Sequence, residues 1–108
     1  MTITARTFAI DIPYDKIREF CQHWQITEFA LFGSVLRDDF RPDSDIDVLV
    51  TFAPDAKWSL DIAMQMQEEI EGIFERKVDL VKRSSIETSP NYIRRKAILS
   101  TAKVIYEA

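Results

Sequence analysis

Sulfur and imidazole chemistry are nearly missing from this chain, since Cys21 is its one cysteine and His23 its one histidine. A lone cysteine excludes an internal disulfide, and the pair leaves no ligand set for zinc and makes a histidine-based metal site or triad an unpromising reading. Also missing are any apolar run approaching the length of a membrane span and any signal-peptide pattern at the start. A soluble cytoplasmic protein without a membrane partner is therefore expected. There are no repeats, no low-complexity runs and no linker suggesting a second domain. The 108 residues make about one domain, enough for a modest core and too few for a catalytic domain plus a substrate domain. Nor is there a surplus of positive charge: the net charge is −4, which disfavours nonspecific attraction to nucleic acid, so direct nucleic-acid binding is not expected.

What the chain does have is concentrated in residues 31–52, LFGSVLRDDFRPDSDIDVLVTF, where Gly33 and Ser34 are followed after ten residues by Asp45 and Asp47. Asp45 to Val50 reads as a strand, and because successive side chains of a strand point to opposite faces, Asp45 and Asp47 emerge on the same side. Two carboxylates in one small volume repel, and a divalent cation relieves this. Hard oxygen ligands suit Mg²⁺, which takes one or two carboxylates and completes its octahedron with water and substrate phosphates. Gly33 and Ser34 leave the apolar strand Phe29, Ala30, Leu31, Phe32 at a sharp turn, where a residue without Cβ lets backbone amides approach an anion. A short helix starting at Ser34 would add free N–H groups to that contact. Either half of the pattern alone is weak, an isolated Asp-x-Asp being ordinarily a solvated strand end or turn. Together, at the ends of apolar strands joined by Arg41, Pro42, Asp43 and Ser44, typical turn residues, they are much stronger. Ser44 itself reads as a cap or turn residue.

The remaining pattern supplies a scaffold. Residues 1–12 permit a short strand or arm. Pro13 suits a first helical turn, and Ile17, Phe20, Cys21 and Trp24 recur at helical spacing over residues 13–25, which makes Cys21 and Trp24 core residues. Strands are expected over residues 26–32 and 45–52. Residues 59–76 carry Leu60, Ala63, Met66, Ile70, Ile73 and Phe74 at the helical period, with Glu68, Glu69 and Glu71 at more exposed positions and the methionines as core filler. Residues 77–82 read as a third strand, with Val78 and Leu80 on one face and Asp79 on the other; aspartate is depleted in strands and usually sits solvated at an edge. Residues 84–90 read as a polar loop, and residues 91–102 as a helix with Tyr92, Ile93, Ala97, Ile98 and Leu99 apolar and Arg94, Arg95 and Lys96 as a basic cluster. That cluster is a solvated face or a contact for phosphates or an acidic partner. Val104, Ile105 and Tyr106 end the chain as a strand or packed tail.

Gly33-Ser34, the ten-residue gap and the run from Ser44 to Val50 resemble the signature of the DNA polymerase beta nucleotidyltransferase superfamily. Within it, the chain is most similar to the minimal nucleotidyltransferases, the MntA-type antitoxins paired with HEPN-domain toxins. The likeness extends to the run from Lys77 to Val81 and, more loosely, to the runs from Asn91 to Arg94 and Val104 to Glu107. One departure is visible: many relatives carry glycine after the position of Arg37, where this chain has Asp38.

The resemblance implies a single minimal nucleotidyltransferase domain over residues 1–108. Its α/β (α+β) fold has a short mixed sheet with helices mainly on one face and the carboxylates facing a cleft on the other. It implies that Asp79 completes an acidic triad with Asp45 and Asp47, acting as metal ligand, general base or both. Two Mg²⁺ per site and ATP as donor follow, with Gly33 and Ser34 holding the β- and γ-phosphates. Arg37 is a candidate phosphate contact, with pairing to Asp38, Asp39 or Asp43, or a solvated position, as alternatives. The implied reaction is AMP transfer to a tyrosine of a partner HEPN toxin ribonuclease, which silences it. Two rivals stand beside this reading: an enzyme acting on a small-molecule hydroxyl, disfavoured by the missing second domain, and a catalytically silent antitoxin that works by contact, disfavoured by the presence of all three acids.

Overall fold

The computed structural model describes residues 12–33 and 45–108. The arm expected in residues 1–12 lies almost wholly outside the described residues, and the helix or loop expected after Ser34 lies outside them.

The described chain runs α1 (Tyr14–His23), β1 (Ile26–Phe32), β2 (Ile46–Phe52), α2 (Leu60–Phe74), β3 (Val78–Lys82), α3 (Arg83–Glu87), α4 (Tyr92–Thr101) and β4 (Lys103–Glu107). The strands form a four-stranded sheet in the order β3-β2-β1-β4. β1 pairs antiparallel with both β2 and β4, whereas β2 and β3 run parallel, as they must when a whole helix, α2, carries the chain between them. β1 takes a central place because it is apolar on both faces: Phe29 and Leu31 belong to one core cluster, Ala30 and Phe32 to the other.

The larger core lies under α1 and α2. Ile17, Phe20 and Cys21 of α1 and Met66, Ile70 and Phe74 of α2 meet Phe29, Leu31, Ile46, Val48, Val50 and Val78 of the sheet. Phe20 and Phe29 pack edge to face at 6.3 Å, a preferred arrangement of ring quadrupoles. α1 ends where Gln25 adopts φ +59 and turns the chain into β1; α2 opens on Ser59, whose hydroxyl accepts from Ile62 N–H at 3.1 Å, and closes on Glu75 in the left-handed conformation. These caps satisfy helix-end groups that would otherwise lack partners.

The heavier helical layer thus covers one face, as expected, but the opposite face is not bare. Residues 84–90 do not form a loop throughout: α3 occupies Arg83–Glu87, and Ile86 of α3 and Ile98 of α4 cover Ala30, Phe32 and Leu49. Other expectations about burial also need correction. Leu60, Met64, Tyr92 and Ile93 are exposed, at 75%, 63%, 60% and 80%, because they lie on helix faces turned away from both core clusters, whereas Ile62 in the same turn of α2 packs against the larger one. Only Met66 is the buried methionine among the described residues. No helix among the described residues is long and apolar enough to cross a membrane.

Candidate functional site

The alternation of β2 decides where its acids go. Ile46, Val48 and Val50 enter the larger core while Leu49 enters the smaller one, so Asp47 rises from the α3/α4 side of the sheet. On β3, Val78 belongs to the larger core and Leu80 packs against it, while Val81 packs against the smaller one, which puts Asp79 on the same side as Asp47. The parallel register sets Asp47 directly beside Asp79, and the antiparallel register sets it beside Phe32. Asp45 stands two residues upstream, immediately before β2. Asp47 is half-buried; Asp45 and Asp79 are exposed. The sheet thus gathers the candidate acids at one end, where β2 and β3 begin and β1 finishes. It does not close them into a cage: among the described residues, no group of three acidic, histidine or cysteine side chains converges into a ready metal site.

Gly33 follows Phe32 at this end with φ +77, a conformation that side chains with Cβ resist. A Cβ built there would lie 3.1 Å from Cγ of Asp47 and would run into its Oδ2. Glycine is therefore required twice, for the turn and for room beside the carboxylate. The donor set fits Mg²⁺, which is content with one or two carboxylates when phosphates and water supply the rest, and the Asp47 carboxylate occupies the space that a Cβ at Gly33 would take. The residues available to hold it are Asp45, Asp47 and Asp79. Ser34, Arg37, Asp38, Asp39, Asp43 and Ser44 lie outside the described residues.

Two residues escaped the sequence reading. Gln67 and Glu71, one helical turn apart on α2, bind each other at 2.9 Å, and together they engage the backbone of Val78, next to Asp79. Glu71 is half-buried, not one of the exposed glutamates. Its spacing from Gln67 is visible in sequence, but the strand residue they reach is not.

Other candidates resolve as structure. Cys21 is fully buried, and burial pushes its thiol up to about 12, so it packs as a neutral hydrophobe. Trp24 packs against the same core and donates from Nε1 to Glu69 at 3.3 Å. In the basic cluster of α4, the Arg95 guanidinium lies 5.5 Å from the Tyr92 ring and donates to Ser89 O at 3.1 Å. A cleft of about 690 Å³ opens where β2 and β3 finish, lined by Thr51, Phe52, Trp58, Lys82 and Arg83 among others; none of the candidate acids lines it.

The nucleotidyltransferase domain family matches residues 15–104. The protein adenylyltransferase MntA of Thermococcus cleftensis is 32% identical over 71 residues, covering 66% of this chain and 70% of that protein. Among solved structures, a toxin-antitoxin complex with AMP-PNP superposes with a TM-score of 0.67 at 17% identity, covering 90% of this chain and 75% of that one. The complex of a tri-AMPylated Shewanella oneidensis HEPN toxin with its MNT antitoxin gives a TM-score of 0.59 at 18% identity, covering 88% and 70%. At such identities the structures speak for the fold, and the family match speaks for kinship over most of the chain. The chain belongs to the nucleotidyltransferase domain family, as one of its minimal nucleotidyltransferases.

Proposed function

We propose that this chain transfers AMP from ATP to a tyrosine hydroxyl of a partner HEPN-domain toxin, and that it acts as that toxin's antitoxin. The observation that carries the reading is the register of Asp47 beside Asp79, next to a turn where Gly33 leaves room at the Asp47 carboxylate. The similarity to a protein adenylyltransferase and the shared fold with toxin-antitoxin complexes support it.

In the reaction, the acceptor oxygen attacks the α-phosphorus of ATP in line with the bond to the β-phosphate. That bond breaks, pyrophosphate leaves with the electron pair, and the hydroxyl proton passes to a base. Mg²⁺ held by Asp45, Asp47 and Asp79 would neutralise the triphosphate charge and favour the deprotonated acceptor. Asp45 and Asp47 serve the nucleotide side. The Gly33 turn lets the chain approach the β- and γ-phosphates, with Ser34 supplying N–H and hydroxyl donors and Arg37 a further contact. Asp79, on the neighbouring strand, serves the acceptor side, as metal ligand, as base for the hydroxyl proton, or as both. Positioning a second substrate can be worth roughly 7 to 11 kcal/mol, and a docked partner that presents its own tyrosine would supply this.

Intact-mass spectrometry of the cognate HEPN-domain toxin, incubated with the enzyme, ATP and Mg²⁺, followed by peptide mapping, tests the proposal. AMP adducts on a tyrosine, with loss of the toxin's ribonuclease activity, are expected. An unmodified toxin silenced equally by wild type and by Asp47→Asn would give the case to neutralisation by contact. Efficient adenylylation of a small molecule with no partner present would give it to a small-molecule enzyme.

A further inference from the structure

Among the described residues β3 is the last strand of the sheet, so one of its edges has no strand neighbour there. Ile46 N–H donates to Lys77 O at 3.0 Å. In a parallel ladder alternate residues turn their backbone groups to the same neighbour, so Lys77 and Asp79 face β2 while the N–H and C=O of Val78 point outward. Both outward groups are taken by α2. The Glu71 carboxylate accepts from Val78 N–H at 3.2 Å, the Gln67 amide donates to Val78 O, and the same amide donates to the Glu71 carboxylate at 2.9 Å. A closed triangle of hydrogen bonds thus stands where a further strand would be. Val78 is the register partner of Ile46, the residue between Asp45 and Asp47, and it directly precedes Asp79. Holding Val78 fixes how far β3 can slide or lift relative to β2, and with it the separation of Asp79 from Asp47.

We propose that Gln67 and Glu71 are positioning residues for the acceptor-side carboxylate: by gripping Val78 they hold Asp79 in register with Asp47, and they set the rate of transfer while leaving nucleotide binding to β2. This rests on the function proposed above. A partner that fixes the orientation of a reacting group typically matters by about 10- to 100-fold when removed.

The experiment compares wild type, Glu71→Ala, Glu71→Gln and Gln67→Ala at a temperature where all are folded. It measures backbone amide exchange at Val78 and Asp79, together with kcat and KM for ATP with saturating partner. Glu71→Ala is expected to lose protection at the Val78 amide and to lower kcat roughly 10- to 100-fold, with KM for ATP kept within about threefold. Glu71→Gln keeps an oxygen acceptor for Val78 N–H and is expected to restore both protection and kcat. Gln67→Ala keeps the Val78 N–H bond and should show a smaller loss in the same direction; it carries the test if Glu71→Ala does not fold. Unchanged kcat in Glu71→Ala with the Val78 amide exposed would overturn the proposal. So would a Glu71→Gln enzyme as slow as Glu71→Ala, since that would make the charge and not the grip decisive. Wild-type enzyme that transfers no AMP would instead refute the proposed function and remove the catalytic role, while Val78 exchange would still report whether the grip exists.

Discussion

At position 33 the backbone is at φ +77 and the Asp47 carboxylate fills the space a Cβ would need. Gly33→Ala is therefore expected to cost about 1–2 kcal/mol through the left-handed conformation alone, and to displace the carboxylate as well; urea unfolding and a transfer assay should show both losses together. Asp47→Asn should keep the fold and lower transfer by on the order of 10³-fold, because the metal proposed to sit there would contribute several kcal/mol to the transition state. Asp79→Asn should lower kcat while Mg-ATP affinity, read by titration, stays near wild type. Cys21 makes a separate prediction. Its thiol is raised by burial to about 12, whereas an unfolded cysteine titrates near 8.5. Below that lower value stability is indifferent to the thiol. Between it and the folded value the unfolded chain binds fewer protons than the native one, so stability falls as pH rises. The native thiol should resist alkylation at pH 8 and react only once denaturant is added. Asp45 and Asp47 stood out because strand alternation and the Asp-x-Asp spacing need only local information, whereas Asp79 entered as a candidate through the family resemblance. Gln67 and Glu71 did not stand out, because their bonds to Val78 depend on β3 being the last strand of the described sheet, and strand order is a non-local fact.

Among the elements, those with a long apolar period or strict alternation were readable. β1 runs over Ile26–Phe32 as expected, and α2 lies within the expected residues with Ser59 as its cap. α3 escaped because its five residues contain a single buried side chain, Ile86, and one apolar position cannot display a period. In α4, Tyr92 and Ile93 lie in the first turn and stay exposed while Ile98 is buried. Burial there depends on where the helix meets the sheet, which composition does not reveal. The same reasoning separates two substitutions on α2. Ser59→Ala removes the hydroxyl that accepts from Ile62 N–H and should cost about 1 kcal/mol. Ile70→Ala empties a fully buried position under the sheet and should cost about 2–5 kcal/mol. Urea midpoints of the two variants, compared with wild type, check the order and the sizes.

Taken whole, the molecule is a sheet whose two faces are loaded unequally, with α1 and α2 over the larger core and α3 and α4 over the smaller. The candidate acids emerge on the smaller core's side, at the end of the sheet where Gly33 turns the chain. This division lets the larger core hold β2 and β3 firmly while Asp45, Asp47 and Asp79 stand at the end of the sheet where these strands begin. The central claim is that these acids direct attack at the α-phosphorus, and ATP labelled at either end of the triphosphate tests it most directly. Incubated with the cognate toxin and Mg²⁺, wild-type enzyme should transfer label from [α-³²P]ATP to the toxin and none from [γ-³²P]ATP, whose label should leave in pyrophosphate, and Asp47→Asn should transfer neither. Transfer of the γ-label, or α-label transfer by Asp47→Asn equal to wild type, would contradict it.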